Sequence, residues 1–180
     1  SKLRGQSSNH MSNLLVQNIK HTNGTTAQTI DSSGRVSNAV RVGFSGKEPR
    51  PHNSSTYVIT NDVNLYFNTE YHNSGHFVNS TASGQGEFTC PVAGAYLLQA
   101  NFLIDNNAGA SDLCRYAWRL NGTETYLGYD NDRSSAGRYE AMVSAGGVLI
   151  CSANDVITIQ VSDGSFHSAG ESHATIYYLG

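Results

Sequence analysis

The histidines are the first residues of this chain that could bind a metal or transfer protons. His72 and His76 lie close together with Glu70 nearby, and His167 and His173 lie near the C-terminus. A metal site needs ligands that converge in space, which nearness in sequence does not by itself provide. We therefore predict that these histidines are solvated loop residues and that the chain binds no metal or other cofactor.

Four acidic residues are candidates for calcium binding, because the loops of a β-sandwich gather at its ends. They are Asp130, Asp132, Asp163 and Glu171. Oxygen ligands of this kind suit Ca²⁺, but the sequence around them contains no recognisable calcium-ligand motif. Solvated loop carboxylates are the prediction, and calcium binding stays open as an alternative.

Two motifs that would indicate catalysis are missing from the sequence. It contains no Gly-x-Ser-x-Gly, the turn that presents the nucleophile in α/β-hydrolases. Gly84-Gln-Gly86 lacks the lysine and the following helix that a phosphate-binding loop needs. We therefore expect a protein that is not an enzyme.

The three cysteines, Cys90, Cys114 and Cys151, leave at least one thiol unpaired within the chain. Their spacing is far from that of metal-ligand pairs, and each lies in an apolar, strand-like context. We predict buried free thiols that pack as small hydrophobic groups. A disulfide between two of the three is the alternative.

The composition argues against two further classes of function. The chain has 180 residues, of which 14% are charged, and its net charge is −3. It has no Lys/Arg cluster of the kind that forms a nucleic-acid-binding face, and no apolar run approaches the roughly 18 residues of a membrane span. We expect neither nucleic-acid binding nor membrane insertion, and the length fits one domain with a short extension.

The elements that position these residues are predicted to be strands. In Tyr96–Ile104 every second side chain is apolar, which is the period of a strand with one buried face. A short strand, Phe88–Cys90, precedes it, and Pro91 and Gly94 reverse the chain between the two. Other short runs are separated by turn signals such as Asn121-Gly122. The predicted fold is all-β, a jelly-roll β-sandwich with a short N-terminal β-hairpin and an extended arm.

The stretch Gly86-Glu-Phe-Thr-Cys-Pro-Val-Ala-Gly-Ala-Tyr96 resembles the central motif of the globular head of complement component one, subcomponent q. The resemblance runs from about Arg41 to Gly180, and it includes Trp118-Arg-Leu-Asn-Gly122 and the closing Ile176-Tyr-Tyr-Leu-Gly180. It implies the jelly roll that this family shares with tumour necrosis factor, and it implies a homotrimer.

A second resemblance lies in the N-terminal part of the chain. The segment Asn18-Ile-Lys-His-Thr-Asn-Gly-Thr-Thr-Ala-Gln-Thr-Ile-Asp-Ser-Ser-Gly-Arg-Val36 is similar to one near the start of tail-fibre-like and other virion proteins of tailed bacteriophages, notably marine ones. It implies that residues 1–36 are an arm and hairpin that anchor the protein to other virion proteins, with residues 37–180 as the head. The apolar residues available for this anchor are Leu14, Leu15, Val16, Ile19 and Ile30.

Aromatic residues concentrate in the later strands, and aromatic side chains make large, rigid contacts at protein interfaces. We predict that some of them form the trimer interface, namely Tyr116, Trp118, Tyr177 and Tyr178. The polar loop that begins near Tyr129 is the predicted contact to a host cell-surface glycan or protein, through Tyr129, Asp130, Asp132 and Arg133.

Taken together, these expectations describe a bacteriophage virion structural protein at the surface of the particle. It would be a trimeric fibre tip, knob or decoration that attaches by its N-terminus and turns its head outward. The alternative is a secreted binding module of the complement or tumour-necrosis-factor type, and an enzyme ranks third.

Overall fold

The computed structural model describes residues 16–20, 22–24, 26–38, 41–51, 62–81, 83–104, 114–130, 142–163, 166–167 and 171–180. The chain divides into two compact units, residues 1–40 and residues 41–180. Among the predicted site residues, Leu14, Leu15, Asp132 and Arg133 lie outside the described residues. For Asp130 only the backbone is described.

The first unit contains a small antiparallel sheet of three strands, β1 (Asn18–Lys20), β2 (Thr26–Ile30) and β3 (Val36–Asn38), in that order. A hairpin ending at Val36 was predicted, and Ser37 and Asn38 extend this region as part of β3, which pairs with β2. The extra strand forms because Asp31 accepts hydrogen bonds from the backbone N–H groups of Ser33 and Arg35, both at 2.9 Å. This side-chain cap stabilises the turn between β2 and β3.

The described part of the second unit consists of two antiparallel sheets. In chain order its strands are β4 (Gly43–Arg50), β5 (Tyr66–Asn73), β6 (Phe88–Thr89), β7 (Gly94–Ile104), β8 (Cys114–Leu120), β9 (Thr123–Asp130), β10 (Met142–Cys151), β11 (Val156–Asp163), β12 (Phe166–His167) and β13 (His173–Tyr178). The first sheet has the order β10-β7-β13-β4-β5, with β12 also paired to β7, and the second has the order β6-β11-β8-β9. The prediction of an all-β sandwich is confirmed.

The alternation predicted for β7 determines which face of the first sheet is buried. Tyr96, Leu98, Ala100 and Phe102 are all buried, and they pack in the same core as Phe88 from the second sheet. Clusters of aromatic rings fill the rest of the space between the sheets. One is formed by Phe44, Phe67 and Phe77, and another by Phe102, Tyr116 and Phe166.

The predicted Asn121-Gly122 turn connects β8 to β9. Both residues have positive φ, 49° and 81°, which is the conformation of the two-residue turn favoured in β-hairpins. The Asn121 side chain also joins the next connection, because its amide donates to Asp155 and its oxygen accepts from the Val156 N–H, both at 2.9 Å. These hydrogen bonds hold two connections together at one end of the sandwich.

Two strands differ from the sequence prediction. A loop was predicted from Lys47, but β4 continues to Arg50, because Pro49 and Arg50 pair with Phe67 and Tyr66 of β5. A glycine kink was predicted near Gly147, but β10 is continuous. Gly147 instead leaves room for the ring of Tyr126, which a Cβ would approach to 2.7 Å.

Candidate interaction surfaces

The outer side of the first sheet carries a group of apolar side chains that the core does not cover. On β10 the buried residues alternate with Val148 and Ile150, which are 50% and 72% exposed. Val148 lies opposite Leu97 of β7, and Leu97 lies opposite Tyr177 of β13. We call this surface the apolar face, and it consists of Leu97, Val148, Ile150, Tyr177 and Leu179.

The apolar face has both a ridge and a hollow. The ridge is formed by Val148 and Ile150 on β10, which lies at one end of the strand order of the first sheet. Beside it lies a surface depression of about 380 Å³, lined by Leu97, Gln99, Ser144 and the backbone around Gly146. At Gly146 the backbone of β7 approaches so closely that an added Cβ would lie 2.1 Å from Leu98 O, so no side chain fits at this position. The surface can therefore accept a projecting apolar group as well as present one.

Tyr177 forms the flat side of the apolar face. Its ring lies over Gly43, where an added Cβ would come within 2.6 Å of the ring. The same ring stacks against His72 with a centroid distance of 5.9 Å. The Nε2 of His72 in turn lies 2.8 Å from the carbonyl oxygen of Arg41, so the imidazole ring of His72 is held in place on the sheet.

A polar row borders the apolar face on the same side of the sheet. Ser144 donates to the Asn101 side-chain oxygen, and the Asn101 amide donates to His173 Nε2 at 2.9 Å. His173 Nδ1 then donates to the carbonyl of Glu171 at 3.0 Å. In this network His173 carries its proton on Nδ1. Ser144, Asn101 and His173 each have a hydrogen-bond partner within the protein.

His76 lies between strands as the sequence predicted, but the other histidines of the predicted set are not in loops. His72 and His173 belong to strands β5 and β13 rather than to loops, because each alternates with residues that face the other way. The described residues include no group of three or more His, Cys, Asp or Glu that could hold a metal ion. In the part of the chain that the structure describes, no helix is long and apolar enough to cross a membrane.

The predicted interface aromatics on β8 are core residues, so that part of the prediction is wrong. Tyr116 and Trp118 are 0% and 1% exposed within a single chain. The Tyr116 hydroxyl lies 2.9 Å from Ala100 O and 3.0 Å from Val143 O, and Trp118 Nε1 donates to Ala145 O at 3.2 Å. Their polar atoms therefore connect the second sheet to strands of the first sheet, rather than one subunit to another.

The two adjacent tyrosines of β13 point to opposite faces of the sheet. Tyr178 packs on the inner side, with its ring centroid 5.1 Å from that of Tyr96. Tyr177 lies on the outer side, and it is the one residue of the predicted interface set that belongs to the apolar face. Successive side chains of a strand alternate in direction, so a single face could never contain both.

The outer side of the second sheet combines charged residues with the exposed side chains of Leu127 and Tyr129, and so differs from the apolar face. Glu124 of β9 bridges two arginines of β8, Arg115 and Arg119, with the Arg119 contact at 3.0 Å. Tyr129 lies opposite Arg115 and is 67% exposed. The predicted host-contact residue Tyr129 thus stands beside an ion-paired cluster that the sequence analysis did not identify.

The small N-terminal sheet exposes most of its apolar side chains. Ile19 and Val36 are 47% and 60% exposed, and none of the side chains described between residues 16 and 36 is fully buried. Val16 and Ile30 line a surface depression of about 380 Å³ together with Gln17, Asp31 and Ser32. The predicted anchor residues Val16 and Ile30 are therefore neighbours on one surface.

Comparisons with solved structures identify the fold of the second unit. The chain is similar to the tumour necrosis factor Eiger from S. frugiperda, with a TM-score of 0.55 and 13% identity over 78% of this chain and 93% of that one. It is similar to the globular domain of zebrafish complement 1qA protein, with a TM-score of 0.52 and 18% identity over 77% of this chain and 95% of that one. For murine APRIL the TM-score is 0.53 and the identity 13%, over 78% of this chain and 100% of that one.

The chain therefore has the jelly-roll fold of tumour necrosis factor and complement 1q. This agrees with the resemblance carried by the Gly86–Tyr96 motif. No family model matches the sequence, and no curated protein matches it. At these identities the likeness establishes the jelly roll alone, and function has to be argued from the surfaces described above.

Proposed function

We propose that this protein is a non-enzymatic binding head that works as a homotrimer. The observation that carries the proposal is the apolar face, where Val148 and Ile150 project from a strand whose other side already belongs to the core. Burying a fully exposed side chain of this size is worth about 1.5–3 kcal/mol, and the exposed parts of Val148 and Ile150 account for a share of that value each. A partner that covers this face removes these apolar side chains from water, and this burial stabilises the complex.

A second copy of the chain fits this face better than an unrelated partner. The ridge of Val148 and Ile150 and the hollow beside Gly146 lie on the same surface, so the ridge of one copy can enter the hollow of the next. If the ridge of each copy enters the hollow of the next copy around a three-fold axis, the contact is head-to-tail and closes into a ring, which prevents open-ended growth. Three copies agree with the homotrimer that the complement-type resemblance implies.

Sedimentation of the full chain tests this proposal. We expect a single species of three times the chain mass, 19.4 kDa, at micromolar concentration. Chemical cross-linking should yield a ladder that stops at three chains. A monodisperse, folded monomer in the same buffer would contradict the proposal.

We further propose that the first unit anchors this trimer to a bacteriophage particle, so that the head faces outward at the virion surface. Two features support this role: the resemblance of residues 18–36 to virion proteins, and the exposure of Ile19 and Val36 on a sheet whose described side chains between residues 16 and 36 include no fully buried one. Exposed apolar groups on so small a sheet favour a docking surface on another virion protein. A host cell-surface glycan or protein then becomes the proposed ligand of the head, near Tyr129.

A chain that begins at Arg41 is expected to fold but not to join the particle. All of the buried apolar residues described belong to the second unit, so the head keeps its core when the first unit is removed. Thermal unfolding of the truncated head should show a cooperative transition within a few degrees of that of the full chain. When particles are assembled with the truncated form in place of the full chain, protein gels of the particles should show no band for the truncated form.

The full-length chain, supplied in the same way, is the control for this experiment. Truncated head recovered on purified particles at normal occupancy would contradict the anchoring role. This outcome would have no bearing on the proposal that the head is a trimer. A chain that is secreted and never found on particles would instead favour the second candidate, a secreted binding module, which the likeness to tumour necrosis factor and complement 1q supports.

A further inference from the structure

Two cysteines lie side by side at the end of the sandwich where the chain crosses twice between the sheets. Cys90 lies in the connection from β6 to β7, and Cys151 ends β10 just before the connection to β11. The two connections are hydrogen-bonded to each other, because Asn154 N–H donates to Cys90 O and Cys90 N–H donates to Asp155 O, both at 2.8 Å. Cys151 also lies opposite Gly94, which begins β7.

The side chains of these two cysteines meet inside the core. Cys90 and Cys151 are 0% and 3% exposed free thiols in the same core cluster, and each is close enough to influence the pKa of the other. The hydroxyl of Tyr96 also contacts the Cys90 thiol, and it donates to Val92 O at 2.8 Å. The packing around the pair is therefore well defined.

Strand register keeps Cys114 away from this pair. Cys90 directly follows Thr89, which pairs with Val156 at the start of β11, whereas Cys114 precedes Arg115, which pairs with Asp163 at the end of β11. At about 3.3 Å per residue, the length of β11 separates the two sites by roughly 20 Å. A disulfide joins Cα atoms that are no more than about 7 Å apart, so the folded chain allows only one intrachain pair.

We propose that Cys90 and Cys151 are the two halves of an intrachain disulfide that cross-links the two connections between the sheets. The oxidant is a low-molecular-weight disulfide such as oxidised glutathione. The Cys151 thiolate attacks one of its sulfurs, which forms a mixed disulfide and releases one thiolate. The Cys90 thiolate then attacks Cys151 sulfur and releases the second, so the protein loses two electrons and two protons and the oxidant becomes two thiols.

The state of the thiols in the folded protein determines when this reaction occurs. Burial raises the pKa of Cys90 to about 12 and also raises the pKa of Cys151, where the hydrogen bond from Cys90 opposes the effect. Only the thiolate reacts, so the closed native protein keeps both groups reduced. Oxidation takes place while this end of the sandwich is open, above all during folding.

Refolding the full chain from denaturant tests this proposal. In a mixture of oxidised and reduced glutathione, we expect the intact mass to fall by two hydrogen atoms per chain. A non-reducing peptide map should then join the peptides of Cys90 and Cys151 and leave Cys114 free. Since closing a long loop restricts the unfolded chain, the oxidised protein should melt about 5–10 °C higher than the reduced protein.

Single substitutions supply the matched controls. Cys114→Ser should still lose two hydrogen atoms and have no free thiol after denaturation, whereas Cys90→Ser and Cys151→Ser should show no such loss. If either of the last two variants fails to fold, the map of the unsubstituted protein decides alone. A map that links Cys114 to either partner, or three free thiols after oxidative refolding, would overturn the proposal.

Discussion

A chain that carries Val148→Asp together with Ile150→Asp is expected to sediment as a folded monomer. Both side chains project outward from β10 and are at least half exposed in the single chain, so the substitutions leave the core of that chain unchanged. In the proposed trimer the same positions are buried against the next copy. An unpaired carboxylate buried there is strongly unfavourable, and association should weaken by at least about a thousandfold, with each factor of ten equal to about 1.4 kcal/mol.

Strand β9 offers a control with the same chemistry on the other sheet. Leu127 and Tyr129 are 47% and 67% exposed and two residues apart on the outer side of the second sheet. Leu127→Asp together with Tyr129→Asp should therefore leave the oligomer intact. Analytical ultracentrifugation measures both variants, and circular dichroism confirms that both are folded. A trimer that survives the β10 substitutions, or one that dissociates only with the β9 pair, would contradict the assignment of the apolar face.

The sequence was sufficient to predict the buried face of β7, because this face depends on local alternation. Tyr96, Leu98, Ala100 and Phe102 follow one another at a spacing of two residues, and all of them are buried. The Asn121-Gly122 turn was also predictable, since few residues other than Asn and Gly adopt positive φ easily. Both features are set by a residue and its immediate neighbours.

The apolar face could not be predicted in the same way, because it depends on which strand lies at the edge and what covers it. Tyr116 and Trp118 were predicted at the trimer interface because they are aromatic, although these residues fill the space between the sheets. The signal that was missed is the unbroken apolar run Val148–Cys151. A strand with one solvated face alternates, whereas a strand covered on both faces has a continuous apolar sequence.

The proximity of Cys90 and Cys151 could not be predicted from the sequence either. The disulfide was left open among three cysteines, because connectivity cannot be deduced from spacing. The two residues are brought together by the pairing of β10 with β7 and by the hydrogen bonds between the two connections. Such contacts between distant parts of the chain are set by the topology of the whole sandwich.

Trp118→Ala is expected to cause the largest loss of stability among single substitutions on β8. Trp118 is among the largest fully buried side chains described, and its indole N–H donates across the core to Ala145 O at 3.2 Å. Replacing a buried tryptophan by alanine typically costs about 3–5 kcal/mol, because a cavity remains. In a chain of this length each kcal/mol lowers the melting temperature by about 2–4 °C, so we expect a fall of roughly 10–15 °C.

Trp118→Phe separates the two contributions to this loss. Phenylalanine keeps most of the apolar volume but cannot donate to Ala145 O, and an unpaired buried carbonyl costs about 1–3 kcal/mol. The phenylalanine variant should therefore fall between the alanine variant and the unsubstituted protein in calorimetry. Because Ala145 belongs to β10, both variants should also weaken the support beneath the apolar face, and the trimer should dissociate at a lower temperature. An alanine variant that melts within about 3 °C of the unsubstituted protein would show that Trp118 does not hold the two sheets together.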